Sequence, residues 1–277
     1  MYTASDNRKL AVVTGASSGI GFELARQFAM NDYDVIVTAE NDIETAARSV
    51  QSEFPAVTIT SLKADLREFD EVEKLCAFID QTDRSVSAIA INAGVGVGGC
   101  FEDTDLDEEL NMVLLNVSST LHLAKRTIQR MLTRAEGGRI LFTSSVVANM
   151  PSPYQAVYSA TKAFVHNLSE GLRYEMKDKG IKITALQPNA TETEFFERGH
   201  MMDTKVGQAK KDDPAQVAEQ GFQALMDDKD HQFGGPLKSR LQGMVSDMIP
   251  EQMKASMNAK QTKPGSAAED SSKKKAS

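Results

Sequence analysis

The chain has 277 residues, 41% of them hydrophobic, enough for one large α/β domain with a substantial core. A formal net charge of −8 argues against a nucleic-acid partner, which would want a basic stripe. Cys76 and Cys100 are too few for a disulfide framework, and His122, His166, His200 and His231 show no metal-ligand spacing, so no metal is expected.

The first element is a short apolar strand at 10–14. It runs into Thr14-Gly15-Ala16-Ser17-Ser18-Gly19-Ile20-Gly21, and a helix follows over 19–31. A buried strand, a glycine turn and a helix start form a phosphate-binding element. Glycines let the backbone approach the ligand, and the free N–H groups and helix dipole favour anionic oxygens. Gly15, Ser17, Ser18, Gly19, Ile20 and Gly21 are therefore cofactor-binding candidates. No Gly-Lys-Ser/Thr ends the turn, so it is not a P-loop. Further strands are read at 34–38, 57–62, 87–91, 139–144 and 181–187, and helices at 42–53, 68–81, 107–134 and 155–179. This alternation predicts a doubly wound, mostly parallel sheet of about seven strands with helices on both faces. Ligands bind such sheets beyond the carboxyl ends of the strands.

Two later segments differ. Residues 237–257 carry Leu237, Leu241, Met244, Met248 and Ile249 at helical spacing. They read as a packing stripe on the domain or on a second subunit, with a substrate lid or membrane-surface helix as the functional alternative. Residues 258–277 are polar and nearly free of large apolar groups, so a disordered tail is expected after a single domain at 1–257. No apolar run approaches a membrane span and MYTASDNRK has no signal-peptide core, so the default expectation is a soluble cytoplasmic protein.

The run Tyr158-Ser159-Ala160-Thr161-Lys162 lies in the 155–179 helix, beside an apolar stripe of Val157, Phe164, Leu168 and Leu172. Residues four apart are neighbours on a helix, so Tyr158 and Lys162 point the same way. A free phenol, with a pKa of about 10, is a poor acid or base at neutral pH. A nearby ammonium lowers it, which would make Tyr158 a usable general acid or base. The alternative is an ordinary helix surface.

Together the glycine turn and the Tyr-x-x-x-Lys step resemble the short-chain dehydrogenase/reductase family. The family's turn is TGxxxGxG, matched at Thr14–Gly21. Its other marks stand in order at Asn92-Ala93-Gly94, Asn116, Ser145 (thirteen residues before Tyr158), Tyr158 and Lys162. The resemblance covers roughly residues 8 to 250 and implies a Rossmann-type fold. It also implies catalytic roles for Asn116, Ser145, Tyr158 and Lys162. Tyr158 would exchange the proton, and Lys162 would tune it and bind the nicotinamide ribose. Ser145 would hold the substrate oxygen, with Ser144 its rival. Asn116 would kink its helix and hold a water that links Lys162 to solvent; an exposed helix position is the alternative.

For the cofactor, the resemblance puts Asp65 on the adenine amino group with Leu66 beside it. An N-cap role for Asp65 is compatible with this. Asn92, Ala93 and Gly94 would lie under the adenine ribose, and Thr193, with Thr191 next to it, would meet the nicotinamide amide. Pro188-Asn189 stands where the family usually has Pro-Gly; Asn tolerates positive φ, so the turn can survive. At the end of the second strand, Ala39 and Glu40 stand where NAD-preferring members carry Asp and NADP-preferring members carry Arg. Glu40 would repel a 2′-phosphate and could accept from the free ribose hydroxyl of NAD. The alternative is that it points to solvent. The cofactor reading is NAD(P)(H), favouring NAD(H).

The expected function is hydride transfer between that cofactor and an alcohol or carbonyl group of a small molecule. The alternatives are a nucleotide-binding sensor or scaffold without turnover, and an epimerase or dehydratase on the same fold. The substrate pocket is expected from residues near 95–101, 146–155 and 190–210, with Gly96, Gly98 and Gly99 in a close-packed mobile loop. The resemblance also implies a homodimer or homotetramer through the two long helices.

Overall fold

The computed structural model describes residues 8–236 and 250–268. The expected stripe at Leu237–Ile249 lies outside the described residues. One seven-stranded parallel sheet organises the described chain. Its strands are β1 (Lys9–Thr14), β2 (Tyr33–Ala39), β3 (Ile59–Lys63), β4 (Val86–Ile91), β5 (Gly138–Thr143), β6 (Ile181–Gln187) and β7 (His231–Phe233), in the order β3-β2-β1-β4-β5-β6-β7. The order reverses between β1 and β4, which opens a crevice at their carboxyl ends.

The inner strands are buried on both faces and alternate their side chains between two cores, while the edge strand β3 is only partly covered. Ala11 and Val13 of β1 and Leu186 of β6 face a layer formed by α1 (Gly19–Met30), α2 (Ile43–Glu53) and α9 (Pro214–Met226). Leu10 and Val12, with Ile181 and Ile183, face α3 (Phe69–Gln81), α5 (Thr120–Arg134) and α6 (Ala156–Met176). This is the doubly wound arrangement the alternation predicts. Buried ion pairs tie its rim: Arg84 bonds Asp34 at 2.7 Å and also the Arg8 carbonyl.

The structure differs from the sequence reading in four places. The helix expected over 107–134 is three pieces: α4 (Leu106–Val113), a π-helical turn (Leu114–Ser119) and α5. β7, the seventh of the expected strands, has only three residues, too few to show a periodicity, so the sequence pattern does not locate it. Short helices α7 (Phe195–Arg198) and α8 (Lys205–Gln208) fold the stretch after β6. Finally, the boundary at 257/258 falls inside α10 (Glu251–Thr262). Asn258 donates to Ser152 Oγ at 2.9 Å, Thr262 donates to the Pro153 carbonyl at 2.8 Å, and Thr262 and Ser266 are buried. Residues 258–268 are thus held on the domain by polar contacts, although they carry almost no apolar groups.

Candidate active site

The carboxyl ends of the central strands open onto one cavity of about 1370 Å³. It is lined by Gly15, Ser17, Ser18, Gly19, Ile20, Gly21, Glu40, Asp65, Leu66, Asn92, Ala93, Gly94, Pro188, Thr191 and Thr193, together with Ser145, Tyr158 and Lys162. Asn116 alone among the nominated residues does not line it.

The glycine turn is shaped by close approach. Gly19 has φ +58°, and a Cβ there would meet Thr193 Cγ2 at 2.7 Å. A Cβ on Gly21 would lie 2.1 Å from the Gly15 carbonyl oxygen. Ser18 is the N-cap of α1 but makes no side-chain cap bond. The first-turn N–H groups are thus left for an anionic ligand. Asn92 is a clasp between strands. Its amide donates to the Thr14 carbonyl at 3.1 Å and accepts from Thr143 Oγ1 at 3.0 Å, while Thr14 Oγ1 accepts from the N–H groups of Asn92 and Ala93, each at 3.0 Å.

Asn116 is buried in the π turn. Its Oδ1 accepts from Val95 N at 3.0 Å. Its Nδ2 donates to the Val95 carbonyl at 2.9 Å and to Thr161 Oγ1 at 3.0 Å. Asn116 therefore pins the Gly94–Val95 segment to α6, immediately behind Lys162. The expected kink is a widened helical turn, and the alternative of an exposed position is excluded.

Ser144 and Ser145 separate cleanly. Ser144 Oγ is buried and donates to the Lys162 carbonyl at 2.8 Å, a scaffold contact. Ser145 lines the cavity, and its Oγ donates to the Pro188 carbonyl at 3.5 Å. Tyr158 packs against Phe195 with ring centroids 5.1 Å apart. Burial pushes its phenol up to about 12, and only the Ser145 hydroxyl opposes this. The expected depression of Tyr158 by Lys162 is not what the protein alone shows. The Lys162 ammonium lies 5.8 Å from the Tyr158 ring centroid and donates to the Thr143 carbonyl at 3.0 Å. Burial lowers its own pKa to about 8. In both groups desolvation of the charged form dominates.

The sequence reading missed Arg67, which does not line the cavity itself but bonds two residues that do, Glu40 and Asp65. Its guanidinium bonds Asp65 Oδ1 at 2.8 Å and Asp65 Oδ2 at 2.7 Å, and also pairs with Glu40. The Arg67 pairing holds the Asp65 carboxyl below its usual range. Glu40 and Arg67 are 27 residues apart, and only the β2–β3 pairing brings them together. Asn189 takes no positive φ, so its tolerance for one is not used. Thr191 instead steadies the turn by donating to the Asn189 carbonyl at 2.9 Å. Phe195 and Phe196, within the stretch 190–210 expected to build the pocket, form an aromatic wall, while the face of α10 bearing Lys254, Met257 and Asn258 is unforeseen.

The glycine cradle, which any Cβ would fill, and the acidic pair at its far end fit an elongated ligand with anionic oxygens in the middle. A family model described as short chain dehydrogenase matches residues 9–202. An uncharacterized oxidoreductase of Staphylococcus saprophyticus is 29% identical over 219 residues, covering 78% of this chain and 91% of its own. A short-chain dehydrogenase from Sphingobium yanoikuyae, solved in complex with NADPH, aligns with TM-score 0.75 and 26% identity over 87% of this chain and 96% of its own. A bulky-bulky ketone specific alcohol dehydrogenase from Comamonas testosteroni aligns with TM-score 0.72 and 26% identity, over 89% and 96%.

Proposed function

The chain belongs to the short-chain dehydrogenase/reductase family, and on that premise we propose that it moves a hydride between a nicotinamide cofactor and an alcohol or carbonyl group of a small molecule. The observation that carries this reading is one continuous cavity joining the glycine turn to Ser145, Tyr158 and Lys162. Gly19, Ile20 and Gly21 would receive the cofactor's phosphates, Thr193 its nicotinamide end, and Glu40 and Asp65 its adenosine end. When bound, the nicotinamide supplies or accepts the hydride.

The chain's own groups handle the oxygen and the proton. Ser145 Oγ would donate to the substrate oxygen as negative charge develops there. Tyr158 is held as the neutral phenol, the form that can deliver a proton in reduction; in oxidation it would take one back. Lys162, with a pKa of about 8, sits close enough to neutrality to gain or lose a proton beside it. Phe195 packs on the phenol ring and screens it from water.

Glu40 supports NAD(H) through the free ribose hydroxyls, while Arg67 is the cation that a 2′-phosphate would engage. Leu106, Leu110, Leu114 and Leu121 form an exposed apolar stripe along α4 and α5, which supports self-association into a homodimer or homotetramer. Light scattering that finds only monomer at micromolar concentration would refute it.

The decisive test is Tyr158→Phe, assayed by nicotinamide absorbance against a panel of carbonyls and alcohols. Turnover is expected to fall by roughly 10²–10⁴-fold with the fold intact. Near wild-type turnover in the variant would overturn the assignment. Absence of any net absorbance change in the wild type would favour a sensor or an epimerase.

A further inference from the structure

Among the described residues, Lys254 is a buried charge on the cavity that the proposed reaction does not use. It lies on α10 with its side chain only 7% exposed, and it lines the same cavity as Ser145 and Tyr158. Its ammonium donates to the Asn149 carbonyl at 3.3 Å and to Glu251 Oε1 at 3.2 Å. Both contacts are long for a charge-assisted hydrogen bond, and an ammonium has three donors. Glu251 is itself 69% exposed and hydrated, so its carboxylate is a replaceable partner.

Burying an ammonium costs free energy unless an anion compensates. The surroundings favour such an anion. Arg198 and Lys210 line the same cavity, with Glu194 paired to Arg198 and Glu251 to Lys254. These cations outnumber their paired carboxylates, in a protein of net charge −8. Asn258, one turn after Lys254, also lines the cavity, with its amide donating to Ser152 Oγ at 2.9 Å and so fixing this face of α10 over it.

The position is as informative as the charge. Asn149 ends the 3₁₀ turn (Val146–Asn149) that begins directly after Ser145. At about 2 Å per residue, that turn carries the chain about 8 Å away from Ser145. We propose that Lys254 is an anion-binding subsite for the substrate's own carboxylate, so that the enzyme acts on an oxo acid or hydroxy acid whose carboxylate lies several bonds from the reacting carbon. This deepens the proposed function and rests on it for the identity of the reacting end. A single ammonium suits a singly charged carboxylate.

The test separates binding from chemistry. Heptanoate and neutral heptanamide are titrated calorimetrically into the full-length protein loaded with NAD(H), and 6-oxoheptanoate and 6-oxoheptanamide are compared as substrates. The wild type is expected to bind heptanoate about tenfold or more tightly than heptanamide, with the difference shrinking as salt rises. Lys254→Met is expected to erase the difference, and Lys254→Arg to keep it. Asn258→Asp, which brings a carboxylate beside Lys254, should also erase it and serves if Lys254→Met does not fold.

Equal binding of acid and amide by the wild type would overturn the proposal, and so would a preference that survives in both Lys254→Met and Asn258→Asp. A Lys254-dependent preference with no absorbance change on the oxo acid would sink the hydride-transfer reading and leave the subsite. Turnover without any preference would sink the subsite alone.

Discussion

Replacing Lys162 with methionine is expected to make the cofactor-free protein more stable at neutral pH while destroying its activity. Burial lowers the Lys162 pKa from its ordinary 10.5 to about 8. At about 1.4 kcal/mol per unit of pKa, the folded protein carries roughly 3 kcal/mol of unfavourable charge burial when Lys162 is protonated. Methionine is similar in length and brings no charge. Against this, the Thr143 carbonyl loses its 3.0 Å hydrogen bond, a loss of about 1 kcal/mol. The net gain is on the order of 2 kcal/mol, or about 5 °C in melting temperature for a chain of this size.

The pH dependence makes the argument specific. The folded protein releases the Lys162 proton near pH 8, whereas the unfolded chain holds it until about 10.5. In that window the unfolded state binds more protons, so wild-type stability rises with pH. The burial penalty is fully present below pH 8 and gone above 10.5. The advantage of Lys162→Met should therefore be widest below pH 8 and close as pH rises toward 10.5. Tyr158, pushed up to about 12, favours unfolding above pH 10, but both proteins share that loss. Thermal melts of the pair from pH 6 to 10 provide the measurement. A variant that melts below the wild type at pH 7, or a gap that does not narrow with pH, would refute the reasoning. Turnover by the variant should fall by at least about 100-fold.

The glycine turn gives a second test. Gly21→Ala puts a Cβ 2.1 Å from the Gly15 carbonyl, so a loss of about 1–3 kcal/mol in thermal stability is expected, with cofactor affinity falling further. At the adenosine end, Arg67→Leu should weaken NADP binding by about tenfold while changing NAD binding much less. Glu40→Gln should release Arg67 and narrow the gap between the two cofactors. Fluorescence titration with both reduced cofactors reads these effects, and an unchanged NADP affinity in Arg67→Leu would remove Arg67 from the site.

The part of the cavity around Tyr158 and Lys162 is legible in the sequence because its signals are local. Tyr158 and Lys162 stand one helical turn apart, and the glycine turn sits between a readable strand and a readable helix. What stayed hidden depends on distant pairing or on inverted pattern. Arg67 reaches Glu40 only through strand pairing. On α10, the polar Lys254 and Thr262 are buried while the apolar Met253 and Met257 are each 56% exposed, so burial runs against polarity there. The stretch from 258 therefore looked like a solvated tail, although part of it forms a wall of the cavity. The π turn left no mark that a propensity scale reads, apart from a single asparagine in a long helical run.

That turn has a consequence for how the active site can vary. A π turn holds one residue more than α-helical winding needs, so the helix from Leu106 to Arg134 behaves as though it carried a fixed insertion. Deleting one residue between 114 and 119 would restore regular winding and leave α4 and α5 nearly in phase, but it would re-aim the side chains within the turn itself. The Asn116 amide would lose its aim at Val95, and the backbone behind Lys162 would lose its two fastenings. Substitutions in the two flanking helices can be absorbed singly, whereas the extra residue of the turn cannot be removed without releasing Val95 from α6.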